Sequence, residues 1–162
     1  MKTQRAKRLK PSRETQERAV DFGELPGYVG YQVRRTQAKI FADFETALAD
    51  VDFTPGSFGV LTLIRANAGI TQVELAAAFG VDKSTMSPVI VRLEKRGLIR
   101  RAVLASDRRY QALTFEAAAE PQFLLAREKV RAFEASVAAR LSKSEQRELS
   151  RLLAKLRGEM ER

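Results

Sequence analysis

Residues 71 to 115 carry the pattern that most constrains this chain: two short helical repeats around a glycine turn, followed at once by strand periodicity. Thr71, with Glu74 three residues later, has the spacing of a reciprocal capping box. Leu75, Ala76 and Phe79 recur at helical steps, and Gly80 offers the left-handed backbone that ends a helix. Asp82 is placed to cap a second helix over 82–96, with Met86, Val89, Ile90 and Leu93 as its buried stripe and Gly97 as its stop. Leu98, Ile99, Val103 and Leu104, then Tyr110, Ala112, Leu113 and Phe115, read as two short strands. Ala105, Ser106 and Asp107 suit the connection between them. The pattern predicts a helix-turn-helix with a hairpin wing.

The polar residues of this module suit an anionic partner. Lys83, Ser84, Thr85 and Ser87 stand at the leading end of the second helix, where Pro88 also lies, and Arg92, Lys95 and Arg96 follow. Asp107, Arg108 and Arg109 fall near the wing tip. Hydroxyls, cations and helix N-terminal amides all bind phosphate, and small side chains can enter a groove. From 82 to 109 there are eight Lys or Arg against Asp82, Glu94 and Asp107, a local net of +5. The whole chain carries +9, from 29 Lys and Arg against 20 Asp and Glu. Double-stranded nucleic acid therefore heads the list of partners. The plainer alternative is a solvated basic face.

The same composition excludes much chemistry. With no Cys and no His there are no disulfides, no thiolate or imidazole metal ligands, and no histidine acid–base catalysis. No Gly-rich phosphate loop or paired-carboxylate pattern stands out, so no cofactor, no resident metal and no enzyme activity are expected. No apolar run approaches the roughly 20 residues that cross a bilayer. The basic start lacks the apolar stretch of a signal peptide, and a cytoplasmic protein without membrane contact is expected.

Around the module the chain divides into an arm over 1–24, a helix over 25–50, the winged helix-turn-helix over 51–115 and two helices over 116–162. The arm holds seven Lys or Arg in its first 20 residues and few hydrophobes, so a flexible segment is expected, in contact with phosphates or simply solubilising. Tyr28, Val29, Val33, Ile40, Phe41, Phe44 and Leu48 give the first helix a wide apolar surface. Thr54 and Pro55 start a helix. Pro121 must lie near a first turn, and Ser142 with Glu145 forms another capping box ahead of Leu149, Leu152, Leu153, Leu156 and Met160. Two terminal helices of this kind need a partner for their leucines, and a homodimer on a two-fold palindromic duplex is the economical answer. The fold class expected is mainly α with a small β wing, a DNA-binding module plus a helical dimerisation domain from both ends of the chain.

The stretch GVDKSTMSPVIVRLEKRGLIRR at 80–101 and Asp-Arg-Arg at 107–109 resemble the MarR family of winged-helix transcriptional regulators. The resemblance spans roughly residues 25 to 157. It implies a homodimer with interleaved terminal helices, a recognition helix at 82–96, and a wing in which Arg109 enters the minor groove, Asp107 positions it and Arg108 assists. It also implies repression relieved by a small aromatic effector. A narrower likeness, GYVGYQVRRTQAKIFADFE at 27–45, is to the members that control breakdown of hydroxycinnamates and related aromatic acids. That likeness implies an aromatic acid or an aryl-CoA thioester such as p-coumaroyl-CoA or feruloyl-CoA. Arg34, Arg35 or the N-terminal arm would face the CoA phosphates, and the acyl group would lie between Tyr28, Tyr31, Phe41 and Phe58. Regulation by a free phenolic acid, control of drug-efflux genes, and non-specific architectural DNA binding are the alternatives.

Two departures from the family pattern matter. Pro88 removes an amide from the recognition helix, freeing the Ser84 carbonyl, so the helix is expected to start later or to bend. After Phe115 the usual Thr-x-x-Gly start to the next helix is replaced by Glu116 and three alanines, which changes a cap.

Overall fold

A computed structural model describes residues 20–103 and 111–159. A first unit ends at Arg35 and a second begins at Thr36, the division falling inside α1 (Val29–Ala47). Among the described residues of the first unit, a 3-10 turn at Leu25–Gly27 holds Pro26 in its first positions. Gln32 Nε2 donates to the Pro26 carbonyl at 2.6 Å, which fastens that turn to the start of α1. The helix begins at Val29 rather than at 25, because the proline and glycine are spent on the turn.

In the second unit the rest of α1 passes into a 3-10 turn at Ala49–Val51 and then to Asp52, the one non-glycine residue with positive φ (51°) among those described. Thr54 starts α2 (Pro55–Ala66): its hydroxyl accepts from the Ser57 amide at 3.1 Å and its own amide donates to Ser57 Oγ at 2.9 Å. Strand β1 (Ile70–Thr71) leads directly into α3 (Gln72–Phe79). Thr71 and Glu74 cap α3 reciprocally, and Gly80 closes it at φ 63°. A side chain at Gly59 would bring its Cβ to 2.9 Å from Phe79 Cζ, so the bare backbone is what lets α2 approach α3.

Helix α4 (Lys83–Lys95) is followed by β2 (Ile99–Val103) and β3 (Gln111–Phe115). The antiparallel sheet has the order β1-β3-β2, with Ile70 opposite Leu113 and Ile99 opposite Phe115. A two-residue β1 has no alternation to read, so the sequence shows Thr71 only as a cap. A 3-10 turn at Ala117–Ala119 precedes α5 (Glu120–Ala138), which has Pro121 in its first turn, and Ser142 caps α6 (Lys143–Leu156).

The core joins Leu48 just beyond α1, Val60, Leu61 and Ile64 of α2, Leu75 of α3, Ile90 and Leu93 of α4, Leu98, and Leu113 of β3. Phe133 of α5 meets Phe44 of α1 edge-on at 5.4 Å, and Phe123 of α5 stacks on Phe58 at 5.7 Å. Helix α6 buries no residue, and Leu149, Leu152 and Leu156 are exposed along it. Among the described residues no helix is long and apolar enough to cross a membrane.

Candidate nucleic-acid interface

The leading end of α4 is built from its cap outward. Asp82 Oδ1 accepts from the Thr85 amide and from the Ser84 hydroxyl, both at 2.7 Å. These bonds favour the ionised carboxylate and bring its pKa down to about 2. Gln72 Nε2 of α3 donates to the Lys83 carbonyl at 2.9 Å, so the first helix of the motif holds the start of the second. Lys83, Ser84, Thr85 and Pro88 are exposed and Ser87 is half-buried, while Met86, Ile90 and Leu93 face the core. The helix therefore presents a small, hydroxyl-rich surface at its positive end.

Pro88 does not delay this helix. The helix starts at Lys83, directly after its cap, and runs on through Pro88. The freed Ser84 carbonyl belongs to an exposed residue, where water can take the place of the missing amide.

The cations at the other end of α4 are placed differently. Arg92 Nη2 donates to the Asp52 carboxylate. Arg96 donates to the Asp52 carbonyl and, at 3.3 Å, to the Val51 carbonyl. Its guanidinium also lies 4.5 Å from the centre of the Phe53 ring. Burial lowers the Arg96 pKa, an effect opposed by Asp52 and reinforced by Arg92. In the wing, Arg101 Nε pairs with Glu94 at 2.9 Å, and Arg100 Nε pairs with Glu116 at 3.0 Å.

Four of the cations behind the local +5 thus already have carboxylate partners, and two of those partners, Asp52 and Glu116, lie outside the 82–109 window. Lys83 and Lys95 are exposed, with no acidic partner among the described residues. Sequence reasoning missed Asp52, Glu94, Glu116 and Gln72 as organisers of this surface. Asp107, Arg108 and Arg109 lie outside the described residues.

The residues predicted to meet an effector fall in both units. In the first, the Arg35 guanidinium sits 5.8 Å from the centres of both the Phe22 and the Tyr31 rings, which are 6.4 Å apart. Tyr28 is exposed and its hydroxyl donates to Glu24 at 2.7 Å, which raises the phenol's pKa. Arg34 is exposed. In the second unit Phe41 is exposed, whereas Phe58 is half-buried between Phe53 and Phe123.

The MarR family matches residues 53–110, from just before α2 to just before β3. A putative transcriptional regulatory protein for the hcr operon of Thauera aromatica is 33% identical over 135 residues, which cover 83% of this chain and 81% of that protein. Among solved structures, the transcriptional repressor CouR bound to a 23-mer DNA duplex superposes with a TM-score of 0.77 at 31% identity, over 86% of this chain and 99% of CouR. CouR bound to p-coumaroyl-CoA gives a TM-score of 0.79 at 28% identity, over 88% of this chain and 100% of CouR. With the capped helix pair, the three-stranded wing sheet and matches of this extent, the chain belongs to the MarR family of winged helix-turn-helix transcriptional regulators, which are DNA-binding proteins and not enzymes.

Proposed function

We propose that the chain is a homodimeric repressor that leaves its operator when an aryl-CoA thioester of the hydroxycinnamate class binds. The observation that carries this reading is the likeness to CouR over essentially the whole of that protein, in both its DNA-bound and its p-coumaroyl-CoA-bound forms. The exposed leucines of α6 support a subunit interface, since a lone chain would leave that apolar stripe in water. Two copies of α4 would then address one face of the duplex about 34–36 Å apart.

In this reading Ser84, Thr85, Ser87 and Pro88 meet base edges in the major groove, while Lys83 and Lys95 meet phosphates. Arg109 enters the minor groove, with Asp107 and Arg108 supporting it. Arg92 and Arg96 act through their bonds to residues 51 and 52. On the effector side, Arg35 with Tyr31 joins a cation to aromatic surface, the pairing that an aryl thioester with phosphates on its carrier calls for. Arg34 adds a second cation beside it in sequence, and Tyr28, Phe41 and Phe58 are further candidates for aromatic contact.

The test is fluorescence anisotropy of the protein on DNA from upstream of its own gene, against scrambled DNA at fixed salt. p-Coumaroyl-CoA, p-coumarate and CoA are added in turn. Coupling of about 1–3 kcal/mol lowers affinity roughly 5- to 150-fold, and only the thioester is expected to do so. Release by the free acid alone would replace the thioester with a phenolic acid. Equal binding to both DNAs would favour an architectural protein.

A further inference from the structure

The turn that ends α1 is tied to the recognition helix by side chains. Asp52 sits immediately beyond that turn with its backbone in the left-handed region. Its carboxylate pairs with Arg92, and Arg96 Nη1 lies 3.7 Å from the other carboxylate oxygen. Arg96 also donates to the main-chain carbonyls of 51 and 52 and covers the Phe53 ring, with its side chain only 18% exposed. The two arginines are four residues apart, one helical turn, so both reach the same point. The same turn is held from its other side by Lys129 of α5, whose Nζ lies 2.9 Å from Asp50. One turn thereby connects α1, α5 and the C-terminal end of α4.

Glycine fits a left-handed backbone at lower steric cost than aspartate. What the aspartate adds at this position is a carboxylate within reach of two guanidinium groups. We infer that Asp52 is a positioning residue for sequence-specific DNA binding: through Arg92 and Arg96 it fixes the direction of α4, and so the placement of residues 83–88 in the groove. Arg92 and Arg96 work mainly as the receiving half of this clamp rather than as phosphate contacts.

Helix positioning and simple electrostatics change DNA affinity in opposite directions. Removing a negative charge next to a DNA-binding helix should tighten binding to any duplex. Releasing a positioned helix should loosen binding to the preferred duplex alone, because base contacts depend on geometry and phosphate attraction does not.

Asp52→Asn tolerates the left-handed backbone and loses the charge, whereas Asp52→Gly relaxes the backbone and loses the whole side chain. Both are compared with wild type by anisotropy on a duplex that the wild-type protein enriches from a random pool, and on scrambled DNA, over a range of salt. Thermal melts of each variant accompany the titrations. Both variants are expected to lose roughly 2- to 30-fold in affinity for the enriched duplex, the range seen when a residue acts on a site it does not touch. Affinity for scrambled DNA is expected to hold or rise, with no fall in the salt slope. The glycine variant is expected to show this loss even if it melts at or above the wild-type temperature, which a merely structural role would not produce. Unchanged affinity of both variants for the enriched duplex would overturn the inference. So would a loss of the same size on scrambled DNA, wild-type behaviour of the glycine variant alone, or a wild-type protein that enriches no sequence.

Discussion

Arg101 of strand β2 donates its Nε–H to the Glu94 carboxylate of α4 at 2.9 Å, joining the wing to the recognition helix across seven positions of sequence. Gln111 of β3 lies within reach of the same guanidinium, at 3.4 Å. The root of the wing and the C-terminal half of α4 thus share one polar contact. Glu94→Gln should lower stability by about 0.5–1 kcal/mol, the ordinary worth of a partly exposed pair. In a chain of this size that is a fall of roughly 1–4 °C in melting temperature. It should also tighten non-specific DNA binding, because Arg101 is left with net charge to offer. A melt that does not move would mean the pair contributes nothing to folding.

Phosphate contact and internal pairing make different predictions for cations of the same surface. Lys83→Ala should reduce the slope of log affinity against log salt by about 0.9, the loss of one released counterion. Arg100→Ala should change that slope far less, since its guanidinium is already paired with Glu116 at 3.0 Å. Equal slope changes in the two variants would show that the ion pair does not withhold Arg100 from DNA.

Acid should act on the cap of α4. Asp82 has a folded pKa of about 2, below the usual carboxylate value of 3.8, because Ser84 and Thr85 donate to it. Its contribution to stability is therefore complete above about pH 4 and is lost as pH falls through 2. Asp82→Ala should melt lower than wild type at neutral pH, and the gap should narrow between pH 4 and 2. A gap that is constant across that window would place the effect in helix propensity rather than in the ionised cap.

Leu93 of α4 is completely buried in the core. Leu93→Ala should cost 2–5 kcal/mol, roughly the range for emptying a well-packed leucine site. Chemical denaturation would measure it. A cost below 1 kcal/mol would mean that the neighbours collapse into the space.

Arg109 is assigned to the minor groove by resemblance. Arg109→Ala should weaken binding to an enriched duplex by roughly tenfold or more while changing scrambled-DNA affinity much less. An unchanged footprint and affinity would remove it from sequence reading.

What the sequence disclosed followed the range of each interaction. Thr54, Thr71, Asp82 and Ser142 were readable as caps because their acceptors and donors lie three residues away. The wing strands were readable from β-branched and aromatic residues, and Pro121 from the ring's own demands. The fate of the arginines was not readable. Arg92 finds Asp52 across 40 positions, and Arg65 finds Glu120 across 55, separations that carry no local pattern. Counting charges in a window treated all eight cations alike, whereas the fold gives Arg92, Arg96, Arg100 and Arg101 neighbours from other elements. The later start expected from Pro88 does not occur, because propensity describes an isolated helix. Here the packed stripe of Met86, Ile90 and Leu93 holds α4 on both sides of the proline.

Strand β1 is only Ile70 and Thr71, yet it pairs with β3 at Leu113 and Ala112, and the Gly69 amide adds a bond to the Leu113 carbonyl at 3.1 Å. The base of the hairpin is therefore anchored by the segment that begins α3, independently of whatever joins Val103 to Gln111. The sheet beside the recognition helix is thus braced from two directions, by β2 on one side of β3 and by the residues leading into α3 on the other.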